Sequence, residues 1–153
     1  MWSEVSTTDR HWIGLALDEA RLAAADGEVP VGALVVRDNV VVGRGANATE
    51  REQDPTAHAE IVAIRRAAAH LGTRRLHETS LYVSLEPCAM CAGAIVLARI
   101  PLLVFGAYDP KSGACGSLRN LVCDPRLNHQ CAVRGGVMEP ECSRLLKEFF
   151  EEI

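Results

Sequence analysis

The fold is decided by residues 81–91, which read LYVSLEPCAMC. The first five residues form a short apolar run with the aromatic and β-branched residues typical of a strand. Glu86-Pro87 follows, and because proline is favoured in the first turn of a helix, the strand ends where a helix begins. Cys88 and Cys91 then lie in the opening turn of that helix and on the same side of it. This junction predicts an α/β protein that presents two thiols beside its sheet.

Turn residues and apolar spacing predict three further elements upstream of this junction. A mostly apolar stripe with helical spacing covers residues 12–23 and is ended by Gly27 and Pro30, and a second one covers residues 61–71. Between them, the apolar runs 31–36 and 40–42 flank a tight turn. The upstream part of the chain is therefore predicted to be a helix, a hairpin and a second helix.

Asp54-Pro55-Thr56 stands just before the second of these helices. Asp and Thr side chains can accept hydrogen bonds from the first backbone N–H groups of a helix, so we expect Asp54 or Thr56 to cap it. His58 and Glu60 then fall in its first turn.

The segment after the junction continues the alternation of strands and helices. Residues 102–105 predict a buried strand, residues 131–133 predict a last strand, and Glu139-Pro140 opens a final helix. The loop 106–116 is long enough to be functional. A hairpin followed by alternating strands and helices predicts an α/β sandwich whose later strands are mostly parallel.

Composition and charge limit the class of protein. The chain has 153 residues, of which 48% are hydrophobic and 24% are charged, which fits one globular domain with its own core. Its net charge is −4, so any binding of a polyanion must be local. Met1 to Arg10 lack an apolar core, and the apolar stretch 91–98 is far shorter than the roughly 18 residues of a membrane span. We therefore expect a cytoplasmic protein with no membrane segment.

The chain has six cysteines and we expect no export signal, so thiols or metal ligands are predicted and disulfides are not. Only Cys88 and Cys91 have the spacing of metal ligands. Cys115 lies in a glycine-rich loop, where it can be exposed. The other three are expected to be small buried residues: Cys123, Cys131 and Cys142.

His58, Cys88 and Cys91 together supply three donors that zinc binds well. Helix N-termini favour thiolates, and two helices that start at the same edge of a sheet bring their first turns together. A structural zinc site closes with four protein ligands, whereas a catalytic site keeps one position for water. The three donors therefore predict an open, catalytic zinc site. Three other side chains would close the site if one of them joined it: Cys115, His77 and His129.

Glu60 stands two positions after His58. On a regular helix such residues point about 200° apart, so Glu60 is a poor fourth ligand for the same ion. Its carboxylate can instead reach a bound water or the substrate and carry a proton between them. The sequence therefore predicts hydrolytic chemistry, with deamination favoured and Glu60 as the catalytic proton shuttle.

Each of these signals has a plainer interpretation when it is taken alone. A Cys-x-x-Cys pair is often a redox dithiol or half of a structural zinc site, and a lone histidine at a helix start is usually a capping or surface residue. A non-catalytic, zinc-stabilised binding module is therefore a competing hypothesis. Glu60 separates the two hypotheses, because a purely structural site needs no carboxylate there.

The combined motifs resemble the H-x-E…P-C-x-x-C signature of the zinc-dependent nucleoside and nucleobase deaminases. The resemblance extends over nearly the whole chain, from about Trp12 to Phe150, and is greatest to the bacterial tRNA-specific adenosine deaminases of the TadA type. The blocks that carry it are VPVGA (29–33), DPTAHAE (54–60), EPCAMCAGA (86–94), FGA (105–107), GACGS (113–117) and LNH (127–129).

This resemblance implies a single deaminase domain of the CMP/dCMP type over residues 1–153. We expect residues 1–10, which precede the resemblance, to be flexible. The implied fold is a cytidine deaminase-like, three-layer α/β/α sandwich with a five-stranded mixed sheet. His58, Cys88 and Cys91 would hold one Zn²⁺ per subunit, with Glu60 as proton shuttle. The implied activity is hydrolytic deamination of adenosine to inosine at the wobble position (34) of tRNA, by a homodimer that binds the anticodon stem-loop.

Three substrate contacts are also implied by the resemblance. Asn47 matches an asparagine that contacts the target nucleoside, Val29 matches a position in the pocket wall, and Asp109 falls in the loop that meets the RNA backbone. A related deaminase of a free nucleobase or nucleoside, such as guanine or cytosine, would share the zinc chemistry. That activity is the alternative to the tRNA substrate.

Overall fold

The computed structural model describes the backbone of residues 2–151 and the side chains of residues 8–151. Its sheet has five strands, and helices pack on both faces of the sheet. The helices are α1 (Trp2–Ala25), α2 (Thr49–Glu52), α3 (Ala59–Leu71), α4 (Ala89–Ala98) and α5 (Glu139–Glu151). The strands are β1 (Gly32–Arg37), β2 (Val40–Ala46), β3 (Ser80–Leu85), β4 (Leu102–Ala107) and β5 (Ala132–Arg134). The predicted three-layer α/β/α sandwich is confirmed.

The strand order in the sheet is β2-β1-β3-β4-β5. β1 pairs antiparallel with β2 and with β3, whereas β3, β4 and β5 run parallel. The sheet is therefore mixed, and its later half is parallel as predicted. The hairpin turns at Asp38 and Asn39, whose φ angles are 51° and 62°. Asp and Asn tolerate this left-handed backbone better than most residues, which explains the tight turn.

Two apolar layers separate the sheet from the helices. Side chains of a strand alternate between the faces of a sheet, so Ala33 and Val35 of β1 pack with α3 and α4, on the opposite side from Leu34. The second layer joins α1 to α5 through residues such as Trp12 and Cys142. Burial of these two layers supplies most of the driving force for folding.

The topology brings several chain segments to one edge of the sheet. β2 and β3 both run antiparallel to β1, so they end at the same edge, where β1 begins. β4 runs parallel to β3 and ends there too. α3 follows β2 and α4 follows β3, so both helices begin near this edge. In α/β sheets, the carboxyl ends of the strands are the usual place for a ligand.

Two glycines of β2 allow α3 to lie unusually close to the sheet. A Cβ atom at Gly43 would overlap the backbone of Ala63, and one at Gly45 would overlap the carbonyl group of Ala59. Only glycine permits such a close backbone approach. The first turn of α3 is therefore placed against the strand by backbone contact.

The structure corrects three local predictions. Neither Asp54 nor Thr56 caps α3; His58 is the N-cap residue, and Asp54 Oδ1 instead accepts hydrogen bonds from the backbone N–H (2.9 Å) and hydroxyl (2.7 Å) of Thr56. This local Asx turn competes with capping. Cys115 is buried and not exposed, and Cys123 is only half-buried. The short helix α2 was not predicted.

α1 begins ten residues before the predicted stripe, at Trp2. The side chains of residues 1–7 lie outside the described residues, and the flexibility of residues 1–10 stays a prediction. Within residues 2–151, none of the helices combines the length and the apolar character needed to cross a lipid bilayer.

Candidate metal centre and adjoining pocket

Three donor atoms meet where α3 and α4 begin. His58 and Cys88 are the N-cap residues of these two helices, and Cys91 lies in the first turn of α4. Nδ1 of His58 lies 3.7 Å from Sγ of Cys88 and 3.6 Å from Sγ of Cys91. Nitrogen and sulfur ligands at about 2.0–2.3 Å from a tetrahedral ion are themselves about 3.6 Å apart. The spacing of the three donors therefore fits a single metal ion between them.

Among the side chains of residues 8–151, no fourth one joins this cluster of metal-binding groups. Sγ of Cys115 lies 3.9 Å from the carbonyl oxygen of Pro87, and His77 is exposed. Nε2 of the half-buried His129 lies 2.7 Å from the carbonyl oxygen of Ile100, so this ring makes a structural hydrogen bond elsewhere in the fold. The described residues therefore supply three donors and leave the fourth coordination position of a tetrahedral ion without a protein ligand.

The two cysteines differ in their electrostatic surroundings. Hydrogen bonds with Cys91 and His58 lower the pKa of Cys88 far below that of an ordinary thiol. The hydrogen bond with Cys88, followed by burial, raises the pKa of Cys91. The Cys88 contact also raises the pKa of His58. A divalent cation binds the deprotonated donors and therefore favours the thiolate at both sulfurs.

Glu60 lies in the first turn of α3 and is only 4% exposed. Burial raises the pKa of Glu60 to about 7, although its own backbone N–H and the charge of His58 act in the opposite direction. Glu60 lines the same pocket as His58 and Cys88, but it is not a member of the donor cluster. Its carboxyl group contacts Cys91 and also lines the pocket, where it can exchange a proton with a bound molecule.

The pocket has a volume of about 300 Å³, which is the size of a small-molecule site. It lies at the sheet edge where β1 begins and where β2, β3 and β4 end. All three residues implied as substrate contacts line it: Val29, Asn47 and Asp109. The other lining residues are Val31, Thr49, His58, Ala59, Glu60, Leu85, Glu86, Cys88 and Ser112.

Asn47 presents an unused hydrogen-bond acceptor. Its Nδ2 donates to the carbonyl oxygen of Val29 at 3.3 Å, whereas its Oδ1 is buried and has no partner among the described residues. A buried acceptor without a partner costs about 1–3 kcal/mol. A ligand that donates an N–H or O–H to Asn47 Oδ1 would remove this cost.

Two buried carboxylates near the pocket were missed by the sequence analysis. Glu28, which is 1% exposed, accepts hydrogen bonds from the backbone N–H groups of Glu50 (3.0 Å) and Arg51 (2.7 Å) and so holds α2 in place. Glu86, which is 2% exposed, accepts a hydrogen bond from the backbone N–H of Asp109 at 3.0 Å and so holds the loop that contributes Asp109 to the pocket. The sequence did carry one sign that Glu86 is buried, namely an acidic residue directly after the apolar strand β3.

The chain is similar to known deaminases in both sequence and structure. The model of the MafB19-like deaminase family matches residues 7–153. The tRNA-specific adenosine deaminase of Bacillus subtilis (strain 168) is 48% identical over 147 residues, which cover 96% of this chain and 91% of that protein. A structure from a study of A-to-I editing by tRNA:A34 deaminases at the wobble position of transfer RNA has a TM-score of 0.85 and 47% identity, and the match covers 88% of this chain and 98% of that chain.

A guanine deaminase from Nitrosomonas europaea has the same fold but a lower sequence identity to this chain. Its TM-score is 0.79 and its identity is 25%, over 92% of this chain and 83% of that chain. The two tRNA deaminase matches have nearly twice this identity and span nearly all of both proteins. The resemblance stated from the motifs is therefore confirmed, and this chain belongs to the family of tRNA-specific adenosine deaminases.

Proposed function

We propose that this chain is a zinc-dependent hydrolase that converts adenosine to inosine at the wobble position (34) of a tRNA anticodon. One observation carries the proposal: one pocket of small-molecule size is lined by two of the three metal donors, His58 and Cys88, by the buried Glu60 and by Asn47, whose Oδ1 is unpaired. Family membership selects adenosine in tRNA as the substrate. A tRNA substrate also favours a cytoplasmic location, and residues 1–153 would act as one deaminase domain.

His58, Cys88 and Cys91 would hold one Zn²⁺ per subunit. One nitrogen and two sulfurs suit zinc and are a poor set for Mg²⁺ or Ca²⁺, which prefer oxygen ligands. When bound, the ion supplies Lewis acidity that makes water a nucleophile near neutral pH. Two of the three donors, His58 and Cys88, line the pocket, so an ion held by them would lie beside a molecule bound there.

Glu60 is the residue that would move protons during the reaction. Attack of water at C6 of adenine forms a C–O bond, and loss of ammonia breaks the C6–N6 bond. Glu60 would accept a proton from the water, deliver it to N1 of the purine, and then assist the departure of ammonia. Its burial keeps bulk solvent away from the carboxyl group, so the proton stays within the site.

Asn47 and Val29 would orient the target nucleoside. Asn47 Oδ1 would accept a hydrogen bond from the nucleoside, while Val29 provides an apolar wall. A base that is stacked inside a helix cannot enter a pocket of this size, so the target must be a loop nucleotide or a flipped base. The anticodon loop of a tRNA meets this requirement.

The test is an ammonia-release assay with the metal-loaded protein and four substrates in parallel. An anticodon stem-loop with adenosine at the wobble position should be turned over, whereas free adenosine, guanine and cytosine should not. The same stem-loop with guanosine at that position is the matched control. Turnover of a free base in place of the stem-loop would select the alternative activity, and no turnover of any substrate would support a non-catalytic module.

We also infer that the protein is a homodimer and that α4 forms part of the interface. All ten residues of α4 are apolar, yet Met90 is 36% exposed and Leu97 is 74% exposed. A helix that is apolar on every side is normally buried. The exposed face of α4 has no charge that a different partner would have to match, which suits self-association of two identical surfaces.

Leu97→Glu is therefore expected to weaken self-association by about a hundredfold, because it places a charge in an apolar interface. Sedimentation equilibrium of the metal-loaded protein measures the effect. Leu22→Glu is the matched control, since Leu22 is 60% exposed on α1 and so lies on the opposite side of the sheet. A dimer that survives Leu97→Glu unchanged would remove α4 from the interface.

A further inference from the structure

Glu86 is a buried carboxylate that is held by hydrogen-bond donors from a single loop. Its Oε1 accepts the backbone N–H of Asp109 at 3.0 Å. Its Oε2 accepts the backbone N–H groups of Cys115 at 3.1 Å and Ser117 at 2.9 Å. The hydroxyl of Ser117 also donates to Oε1. Four donors thus converge on one side chain, and all of them belong to the segment 109–117.

The donors lie at the two ends of this segment, which we call the Glu86 loop (residues 109–117). Between the ends, Oδ1 of Asp109 accepts the backbone N–H groups of Lys111 (3.0 Å) and Ser112 (3.1 Å). Asp109 and Ser112 are also the residues that the loop contributes to the pocket lining. Glu86 therefore fastens the base of the loop, while Asp109 shapes the turn that faces the pocket.

The loop is also fitted around the carboxylate by packing. A Cβ atom at position 113 would overlap the carboxylate of Glu86, so Gly113 allows the backbone to pass directly over it. The backbone N–H of Ala114 donates to the carbonyl oxygen of Pro87 at 2.9 Å. Glu86 and Pro87 immediately precede Cys88, so one short segment carries both a metal donor and the attachment of the loop.

We propose that Glu86 is a positioning residue, which fixes the Glu86 loop relative to the metal centre and so preforms one wall of the substrate pocket. This inference rests on the proposed function, because the wall serves the substrate of that site. A carboxylate can accept all four hydrogen bonds with its two oxygens, whereas an amide of the same shape accepts with one oxygen only. Its NH₂ group would face donors of the loop, which leaves some of them without a partner.

The test uses Glu86→Gln in the full-length, metal-loaded protein, with two independent measurements. Hydrogen exchange should become about tenfold faster or more at the backbone amides of Asp109, Cys115 and Ser117, since their acceptor is lost or weakened. KM for the anticodon stem-loop should rise roughly tenfold while kcat stays within about threefold, because a preformed wall contributes mainly to binding. Metal content should equal that of the unsubstituted protein. Ser117→Ala, which removes one donor, should change both quantities in the same direction and by less.

Asp9→Asn is the matched control. Asp9 is also a buried carboxylate, 3% exposed, and it is paired with Arg134 at 2.7 and 2.9 Å, away from the pocket lining. Its substitution should lower Tm and leave KM and the exchange of the Glu86 loop unchanged.

A Glu86→Gln protein that behaves like Asp9→Asn, with a lower Tm but normal KM and normal loop exchange, would overturn the proposal. If Glu86→Gln does not fold, Ser117→Ala decides, and unchanged exchange together with unchanged KM in that variant would also overturn it. Failure of the unsubstituted protein to turn over the stem-loop would contradict the proposed function. The exchange measurement would still test the attachment of the loop in that case.

Discussion

Replacing Glu60 by glutamine is expected to lower kcat for the anticodon stem-loop by about 10²–10⁴-fold, the usual contribution of a general acid–base group. Glutamine preserves the shape of the side chain but cannot accept and release a proton. Since Glu60 is only 4% exposed, no solvent base can readily replace it. Single-turnover measurements of inosine formation would isolate this effect from product release.

Metal content and fold should stay unchanged in Glu60→Gln, because Glu60 is not a member of the donor cluster. Elemental analysis and Tm check these two points. Asp9→Asn again controls for the neutralisation of a buried carboxylate, and it should keep kcat within about threefold. A Glu60→Gln protein that retains a tenth or more of the normal kcat, with full metal content, would assign the proton transfer to another group.

Cys91→Ala is expected to abolish stoichiometric metal binding and to reduce turnover by about 10³-fold or more, because it removes one of three donors. The same substitution should lower Tm, since an ion bound only by the folded protein stabilises it. Titration with a chromophoric chelator, followed by thermal unfolding, measures both effects.

Cys142→Ala is the matched control for this substitution. Cys142 is buried, 1% exposed, but it packs with α1 and the other face of the sheet. It should lose about 1 kcal/mol of stability or less, as expected for the removal of one small buried group, with normal metal content and turnover. A Cys91→Ala protein that still binds one equivalent of metal and remains active would contradict the assignment of the donors.

The local parts of the fold could be predicted from the sequence because their signals are local. The turn at Asp38 and Asn39, the junction at Glu86-Pro87 and the start of the final helix all depend on residues within a few positions of one another. The sequence also predicted that Glu60 lies outside the donor cluster, but the argument assumed that His58 is helical, whereas His58 is the N-cap residue of α3 and has an extended backbone. The family resemblance added the five-stranded sheet, which is confirmed, and three substrate contacts, which stay predictions although all three residues line the pocket.

Features that depend on distant partners could not be predicted in the same way. Glu86 is held by residues 23 to 31 positions away, and Glu28 by residues 22 and 23 positions away. The burial of Cys115 follows from the same folded loop, although its glycine-rich surroundings indicated exposure. A hydrophobic pattern carries no information about such pairings, because the acceptor and the donors have no fixed spacing.

The glycines of β2 have a consequence for how this protein can vary. Glycine inside a strand weakens it, so Gly43 and Gly45 make the hairpin locally less stable than valine or threonine would. In exchange, the backbone of α3 can approach the strand, and the helix start that carries His58 and Glu60 is set at its observed depth. A methyl group at either glycine would thus push α3 away from β2 and move Glu60 relative to the sulfur atoms of Cys88 and Cys91. Substitution of Gly43 or Gly45 is therefore constrained by the reactive residues at the start of α3, although neither glycine lines the pocket.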